Sequence, residues 1–270
     1  MSFDTVERSV QDGKPVELYT FQRDAAVWRY TSGDRDRTVS GDTYTAAVIT
    51  RNSIESGSEL ARSPLQLEVP RDFAVADLWR VAPPTSRVTV LLRQYHDGDG
   101  ELVTLWAGRV LNVEFEGARA NITCEPVFTT VRRIGLRRLY QRQCPHVLYG
   151  ARCGVDKDAH DVAGTVSAIS GSALTITAAG SSPDGHFAGG YLEFQPSAGV
   201  YERRFIEAHT GSTITLMGSA FGLAVSSSVT LYPGCDHTLA TCNSKFSNAA
   251  NYGGMPFMPE QNPFGGSPVL

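Results

Sequence analysis

A chain of 270 residues, 41% hydrophobic and 19% charged, has enough apolar matter for one large core or two modest ones, which excludes a disordered or fibrous protein. Its formal net charge of −4 excludes the dominant basic surface on which nucleic-acid or anionic-membrane binding usually rests. Residues 1–13 carry Asp4, Glu7 and Asp12 with no apolar stretch, so no signal peptide is expected, and no window nears the roughly 20 apolar residues of a membrane helix.

The pattern along the chain is mostly β. Phe3, Val6 and Val10 recur at helical spacing, with Ser2 placed to cap a short helix and Gly13 to end it. Val16–Phe21 and Ala26–Tyr30 read as a hairpin turning near Arg23 and Asp24, and Thr43–Ile49 as a further strand. Across Pro64–Pro70, Leu65, Leu67 and Val69 alternate with Gln66 and Glu68, the period of a half-buried strand. Val88–Tyr95 and Leu102–Phe115 flank Asp97-Gly98-Asp99-Gly100, a hairpin turn. Asp97, Asp99 and Glu101 lack the rest of a calcium-loop pattern. Asn121–Val127 is expected to close this sheet, with Cys124 as a small buried hydrophobe.

From Phe128 to Gln143 the pattern changes to Val131, Ile134 and Leu139, which predicts a short helix bent near Gly135. Arg132, Arg133, Arg137, Arg138 and Arg142 make it the most basic stretch, suited to solvent, to an acidic partner, or to offsetting a thiolate-rich site downstream. Asp161–Pro233 then offers six short strands: Val162–Ile169, Ala173–Thr177, Tyr191–Phe194, Tyr201–Ala208, Thr213–Leu216 and Ser228–Tyr232. Their spacing and turn residues predict a small barrel or sandwich. Asn243–Leu270, rich in Gly, Pro and Asn, cannot build its own core; it is expected to lie extended, anchored by Phe246, Tyr252, Phe257 and Phe264. The organisation is therefore 1–127, a β-rich domain; 128–160, a helix and first cysteine pair; 161–233, an inserted β-barrel; and 234–270, a second cysteine pair and extended arm. The fold class is mainly β with one or two short helices.

Five cysteines, Cys124, Cys144, Cys153, Cys235 and Cys242, are an odd number, and without an export signal a disulfide framework is not expected. Four of them form C-x8-C and C-x6-C pairs at the two ends of the inserted barrel. The ends of a compact insert usually lie together, so the four sulfurs could converge. Four thiolates suit tetrahedral zinc or an iron–sulfur cluster, and spacing does not decide between these, two local disulfides or inert thiols. The gaps of eight and six residues exceed the usual zinc knuckle. Gly150, Gly154 and Gly234 would let backbone pass close to a bulky centre, and Pro145 would stiffen one approach. His146 and His237, each two residues beyond a cysteine, are candidate neighbours of such a site.

The run Cys144-Pro-His-Val-Leu-Tyr-Gly-Ala-Arg-Cys153-Gly-Val, the distal Gly-Cys235…Cys242-Asn, and Asn251-Tyr-Gly-Gly-Met-Pro-Phe-Met-Pro259 resemble the tail-tip (baseplate) hub family of long-tailed phages and gene transfer agents. The lambda tail-tip protein L is a related case. Val16–Phe21, Trp28–Ser32, Tyr44 and Ser63–Pro70 resemble the same family's first domain, and the chain departs from lambda L chiefly in the length of its tail. The resemblance implies a tail-tube-like N-terminal domain and a ring, usually a homotrimer. That ring would join the distal tail protein or tail tube to larger tip or receptor-binding proteins, in the virion tail tip after assembly in the bacterial cytoplasm. It also implies a [4Fe–4S] cluster on Cys144, Cys153, Cys235 and Cys242, with zinc as the alternative. Arg142, His146, Arg152 and His237 would be its neighbours; no specific nucleic-acid recognition and no membrane insertion are expected.

Catalysis is not expected. The sequence lacks G-x-S-x-G, H-E-x-x-H, P-loop and G-x-G-x-x-G motifs. A cysteine hydrolase would need Cys124 as nucleophile with His160 or His186 as base, and a buried strand thiol beside Glu125 disfavours the thiolate.

Overall fold

The structure, a computed structural model, describes residues 3–9, 13–54, 64–96, 101–132, 135 and 138–259. The chain divides into two compact units, Met1–Arg133 with Pro196–Glu202, and Ile134–Gln195 with Arg203–Leu270.

The first unit opens with helix α1 (Phe3–Glu7), whose predicted Ser2 cap and Val10 lie outside the described residues. Then follow β1 (Pro15–Arg23), β2 (Ala26–Thr31), β3 (Arg37–Val39), β4 (Asp42–Ala46), β5 (Thr50–Arg51) and β6 (Leu65–Pro70). A single turn, α2 (Ala74–Asp77), precedes β7 (Thr89–His96), β8 (Val103–Glu116) and β9 (Arg119–Pro126). The nine strands form one sheet in the order β3-β4-β2-β1-β7-β8-β9-β6-β5. The Asp97–Gly100 turn lies outside the described residues, but the β7 and β8 strands it was read to join do pair, Leu92 facing Trp106.

Strand β9 does not close the sheet, as the sequence pattern suggested; it runs between β8 and β6, with Cys124 opposite both Val110 and Leu65. Its alternation, with every second residue from Ala120 to Pro126 buried, turns one face to the core. Tyr19, Phe21, Leu65, Leu67, Val90, Leu92, Ile122 and Cys124 belong to the resulting core. The sheet also curls. Arg51 on edge strand β5 donates Nε to Glu17 Oε1 on β1 at 2.9 Å, while Tyr19 Oη donates to Glu17 Oε2 at 2.6 Å.

The expected helix from Phe128 is replaced by a 3-10 turn, Val127–Arg132, and residues 138–143 are not helical. Thr129 and Thr130 bond their hydroxyls back to the carbonyls of Pro126 and Val127, at 2.9 and 2.8 Å, and so compete with α-helical hydrogen bonding. The expected Ile134 contact lies outside the described residues.

In the second unit β10 (Val162–Ser170), β11 (Ala173–Ile176), β12 (Tyr191–Ser197), β13 (Val200–Thr210), β14 (Thr213–Leu216) and β15 (Ser228–Tyr232) close a barrel in the order β10-β11-β14-β13-β12-β15. These six strands coincide with the six expected from hydrophobic alternation. Leu174, Ile176, Phe187, Leu192, Ile206, Ile214 and Leu231 are fully buried inside. Full closure leaves no unpaired edge, the usual solution for so short a β-segment.

After β15 the chain forms helix α3 (Leu239–Phe246), where the sequence reading placed the second cysteine pair and the start of an extended arm. Thr238 caps it, accepting from Thr241 N–H at 3.2 Å, and Cys242 and Phe246 are its buried residues. Among the described residues no helix is long and apolar enough to cross a membrane.

Candidate metal centre

Four of the five cysteines meet in the second unit. Cys144, Cys153, Cys235 and Cys242 line one small enclosed cavity together with His146, Leu148, Val155, His237, Thr238, Phe246, Asn248 and Asn251. Cys124 belongs to the core of the first unit, and all five are free thiols.

Each cysteine is set by a different local device. Cys144 N–H donates to His237 O at 2.9 Å, which splices the first cysteine segment to the second. Cys153 N–H and Gly154 N–H both close on Gly150 O at 2.9 Å, and Gly154 turns at φ +71°. The loop between them is anchored by Tyr149, whose Oη donates to Pro233 O at 2.7 Å and whose ring meets Tyr191, Tyr232 and Phe246 edge-on. Cys235 is positioned by glycines. A Cβ on Gly234 would lie 1.8 Å from Ala188 O, and one on Gly190 would lie 2.0 Å from Tyr232 O. Gly234 thus serves close packing of backbone on backbone at the barrel's end, rather than the approach to a bulky group that its place beside Cys235 suggested. Cys242 rides on α3.

The sulfurs sit among hydrogen-bonding groups. Gly253 N–H donates to Cys144 Sγ at 3.4 Å, His237 N–H to Cys235 Sγ at 3.3 Å, and Asn248 Nδ2 approaches Cys153 Sγ at 3.9 Å. Cys242 Sγ instead donates to Asn248 O at 3.3 Å. Burial pushes the Cys235 thiol up, partly offset by the His237 N–H, and Cys153 and Cys144 push it further. Burial also raises Cys242, with Cys235, Cys144 and Cys153 acting in the same direction. Charge on the neighbouring cysteines thus opposes ionisation of Cys235 and Cys242, and a bound cationic centre would reverse that preference. Among the described residues no three His, Cys, Asp or Glu side chains are placed to hold one metal ion.

The neighbours expected from sequence divide. His146 and His237 both line the cavity; His146 Nδ1 lies 3.2 Å from Asn251 O, and His237 adopts φ +63°. Arg142 is exposed and enters through its carbonyl, which accepts from Tyr252 Oη at 2.7 Å. Arg152 is exposed and lines a neighbouring cleft with Arg138. The cation drawn inward is Lys245, half-buried on α3, with Nζ bonded to His186 O and to Gly234 O at 2.8 Å. Desolvation lowers its pKa, and the charges of Cys235 and Asp236 act to raise it. The arm after α3 folds back on the site: Tyr252 Oη also donates to His237 O at 3.1 Å, and Met255 N–H to Gln141 O at 2.9 Å. Of its expected anchors, Phe246 is buried, Tyr252 half-buried and Phe257 exposed, and Phe264 lies outside the described residues.

Residues 16–156, more than half the chain, match the family described as baseplate hub protein, N-terminal attachment domain. The chain belongs to that family. Residues 185–262 of this hub chain also match a family described as phage conserved hypothetical protein BR0599, which spans the distal cysteines and α3. An uncharacterised protein of Xylella fastidiosa is 28% identical over 184 residues, 63% of the hub chain, and the chain spans 38% of that relative's length. A chain from the virion of a native gene transfer agent particle shares the fold: TM-score 0.85 at 19% identity, covering 99% of this chain and 96% of the other. The hub chain is a structural tail or baseplate component by family.

A cysteine hydrolase would need Cys124 as its nucleophile. Cys124 is fully buried, and desolvation pushes its thiol up to about 12.

Proposed function

We propose that this chain is the structural hub of a phage-type tail tip, and that a [4Fe–4S] cluster held by Cys144, Cys153, Cys235 and Cys242 locks its second unit. In this reading the subunits form a ring, a homotrimer, joining the distal tail protein or tail tube to larger tip or receptor-binding proteins. They are made in the bacterial cytoplasm and carried in the virion.

One observation carries the metal reading: four cysteines from segments about eighty residues apart in sequence line a single cavity, with amide donors close to three of the sulfurs. Soft thiolates in this number suit iron–sulfur clusters or zinc, and the gaps of eight and six residues between them favour the larger group. When bound, such a group supplies metal–thiolate bonds that contribute directly to folding, on the order of 10 kcal/mol for comparable structural metal sites. The chain's own residues then hold the two ends of the barrel to one point, which removes a hinge from a part that must keep its shape under load.

The test is anaerobic purification with visible absorbance and metal analysis, with Cys144→Ser and Cys235→Ser beside the wild type. Iron at about four per chain, lost in both variants, is the expected result. Zinc at about one per chain would retain the clasp and remove the iron. A well-folded metal-free protein would remove the clasp altogether. Particle imaging with the chain tagged tests its place at the tail tip.

A further inference from the structure

The two short bonds that end α3 aim one side chain back at the cysteines. Ser247 adopts the left-handed conformation, φ 49° and ψ 33°, and its N–H returns to Asn243 O at 3.0 Å. The next N–H, of Asn248, returns to Cys242 O, also at 3.0 Å. Asn248 is thereby folded over the helix end. Its Nδ2 donates to Cys153 O at 2.6 Å and lies 3.9 Å from Cys153 Sγ, while its backbone carbonyl accepts from Cys242 Sγ at 3.3 Å. Asn251 Nδ2 donates to Asn248 Oδ1 at 2.7 Å, which orients the Asn248 amide with its donors toward Cys153.

We infer that Asn248 is a positioning residue for the metal centre: it ties Cys153 to Cys242, by its amide on Cys153 O and its backbone N–H on Cys242 O, and sets, by that amide, the electron density on the Cys153 sulfur. The inference rests on the iron–sulfur reading above and goes beyond it by assigning this role to a residue outside the four cysteines. Like His237 it contacts two of the four cysteines, one from each pair, and it does so in part through a side-chain amide whose orientation is fixed by a partner that is not itself a ligand. Hydrogen bonds to ligating sulfurs withdraw charge from the thiolate and raise the reduction potential of an iron–sulfur centre, so removing one lowers it.

The test compares the full chain carrying Asn248→Asp or Asn248→Ala with the wild type, each purified anaerobically. Three quantities are measured: thermal stability of the metal-free form, iron per chain, and midpoint potential of the bound cluster. Asn248→Asp keeps size and shape and replaces a donor with a negative charge. Its cluster is expected to have a clearly more negative potential than wild type and to bleach several-fold faster in air, with Asn248→Ala between the two. If the Asp variant does not fold, the Ala variant carries the same comparison, since it removes the donor without adding charge. Variants that lose stability yet keep the wild-type potential in the iron they retain would overturn the inference and leave the cluster reading standing. A wild-type chain without iron would overturn both.

Discussion

Lys245 Nζ donates to the carbonyl of Gly234 at 2.8 Å, and so binds the last turn of α3 to the residue just before Cys235. The same ammonium bonds His186 O, which also accepts from Gly234 N–H at 3.3 Å. One cation therefore gathers the segment that enters β12, the exit from β15 and the helix that carries Cys242.

Lys245→Met keeps the length of the side chain and deletes its donors. Two carbonyls in a poorly hydrated place lose a charged partner, at a cost of about 1–3 kcal/mol. Thermal unfolding of the metal-free protein should show the loss. An unchanged midpoint would mean that water replaces the ammonium without penalty.

Gly234→Ala asks backbone to move. The added methyl would stand 1.8 Å from Ala188 O and 2.4 Å from Gly190 N, and neither is the free end of a flexible side chain. A cost above about 3 kcal/mol is expected, in the range of severe overpacking. Because Cys235 follows directly, iron content should fall together with the unfolding midpoint. Wild-type values of both would refute the account of the glycine.

Cys124 should make the first unit sensitive to alkali. Its thiol ionises near 9 in the unfolded chain and is pushed up to about 12 in the native one, so the native state retains a proton that the unfolded state releases. The contribution is complete below about pH 9 and falls as pH rises toward 12, by up to about 1.4 kcal/mol per pH unit. The stability gap between wild type and Cys124→Ala, measured by urea unfolding, should therefore narrow from pH 8 to pH 10. A constant gap would contradict it. The native thiol should also resist alkylation at pH 8.

Glu17 holds the curl of the nine-stranded sheet. It receives Tyr19 Oη and the Arg51 guanidinium, and burial together with Glu17 raises the Tyr19 phenol while Glu17 raises Arg51. Glu17→Ala leaves a buried hydroxyl and a half-buried guanidinium without their carboxylate, an expected loss of about 1–3 kcal/mol. A smaller loss in Arg51→Ala than in Glu17→Ala would assign the larger share to Tyr19.

The β-architecture was legible because alternation is local: Leu65, Leu67 and Val69, or the six barrel segments, announce their inward face in a few residues. The segment after Pro126 misled because Val131, Ile134 and Leu139 share a helical spacing, whereas Thr129 and Thr130 turn their hydroxyls onto the backbone. Helix α3 is not legible because its eight residues are few: Leu239, Cys242 and Phe246 behind Thr238 make too brief an apolar stripe to stand out from a loop. The cysteine set could be read from its two short spacings. Lys245, Asn248 and Gly253 could not, since their roles arise only when the arm returns to the loop that carries Cys144.

That return has a consequence for the order of events during synthesis. The lining of the cysteine cavity is drawn from Cys144 through Asn251, and the amide facing Cys144 Sγ belongs to Gly253. No nascent chain can assemble this chamber until the barrel has closed and α3 with its following turn has left the ribosome. The chamber is thus a record of completion: a chain that stops before Gly253, or whose barrel has not closed, lacks it.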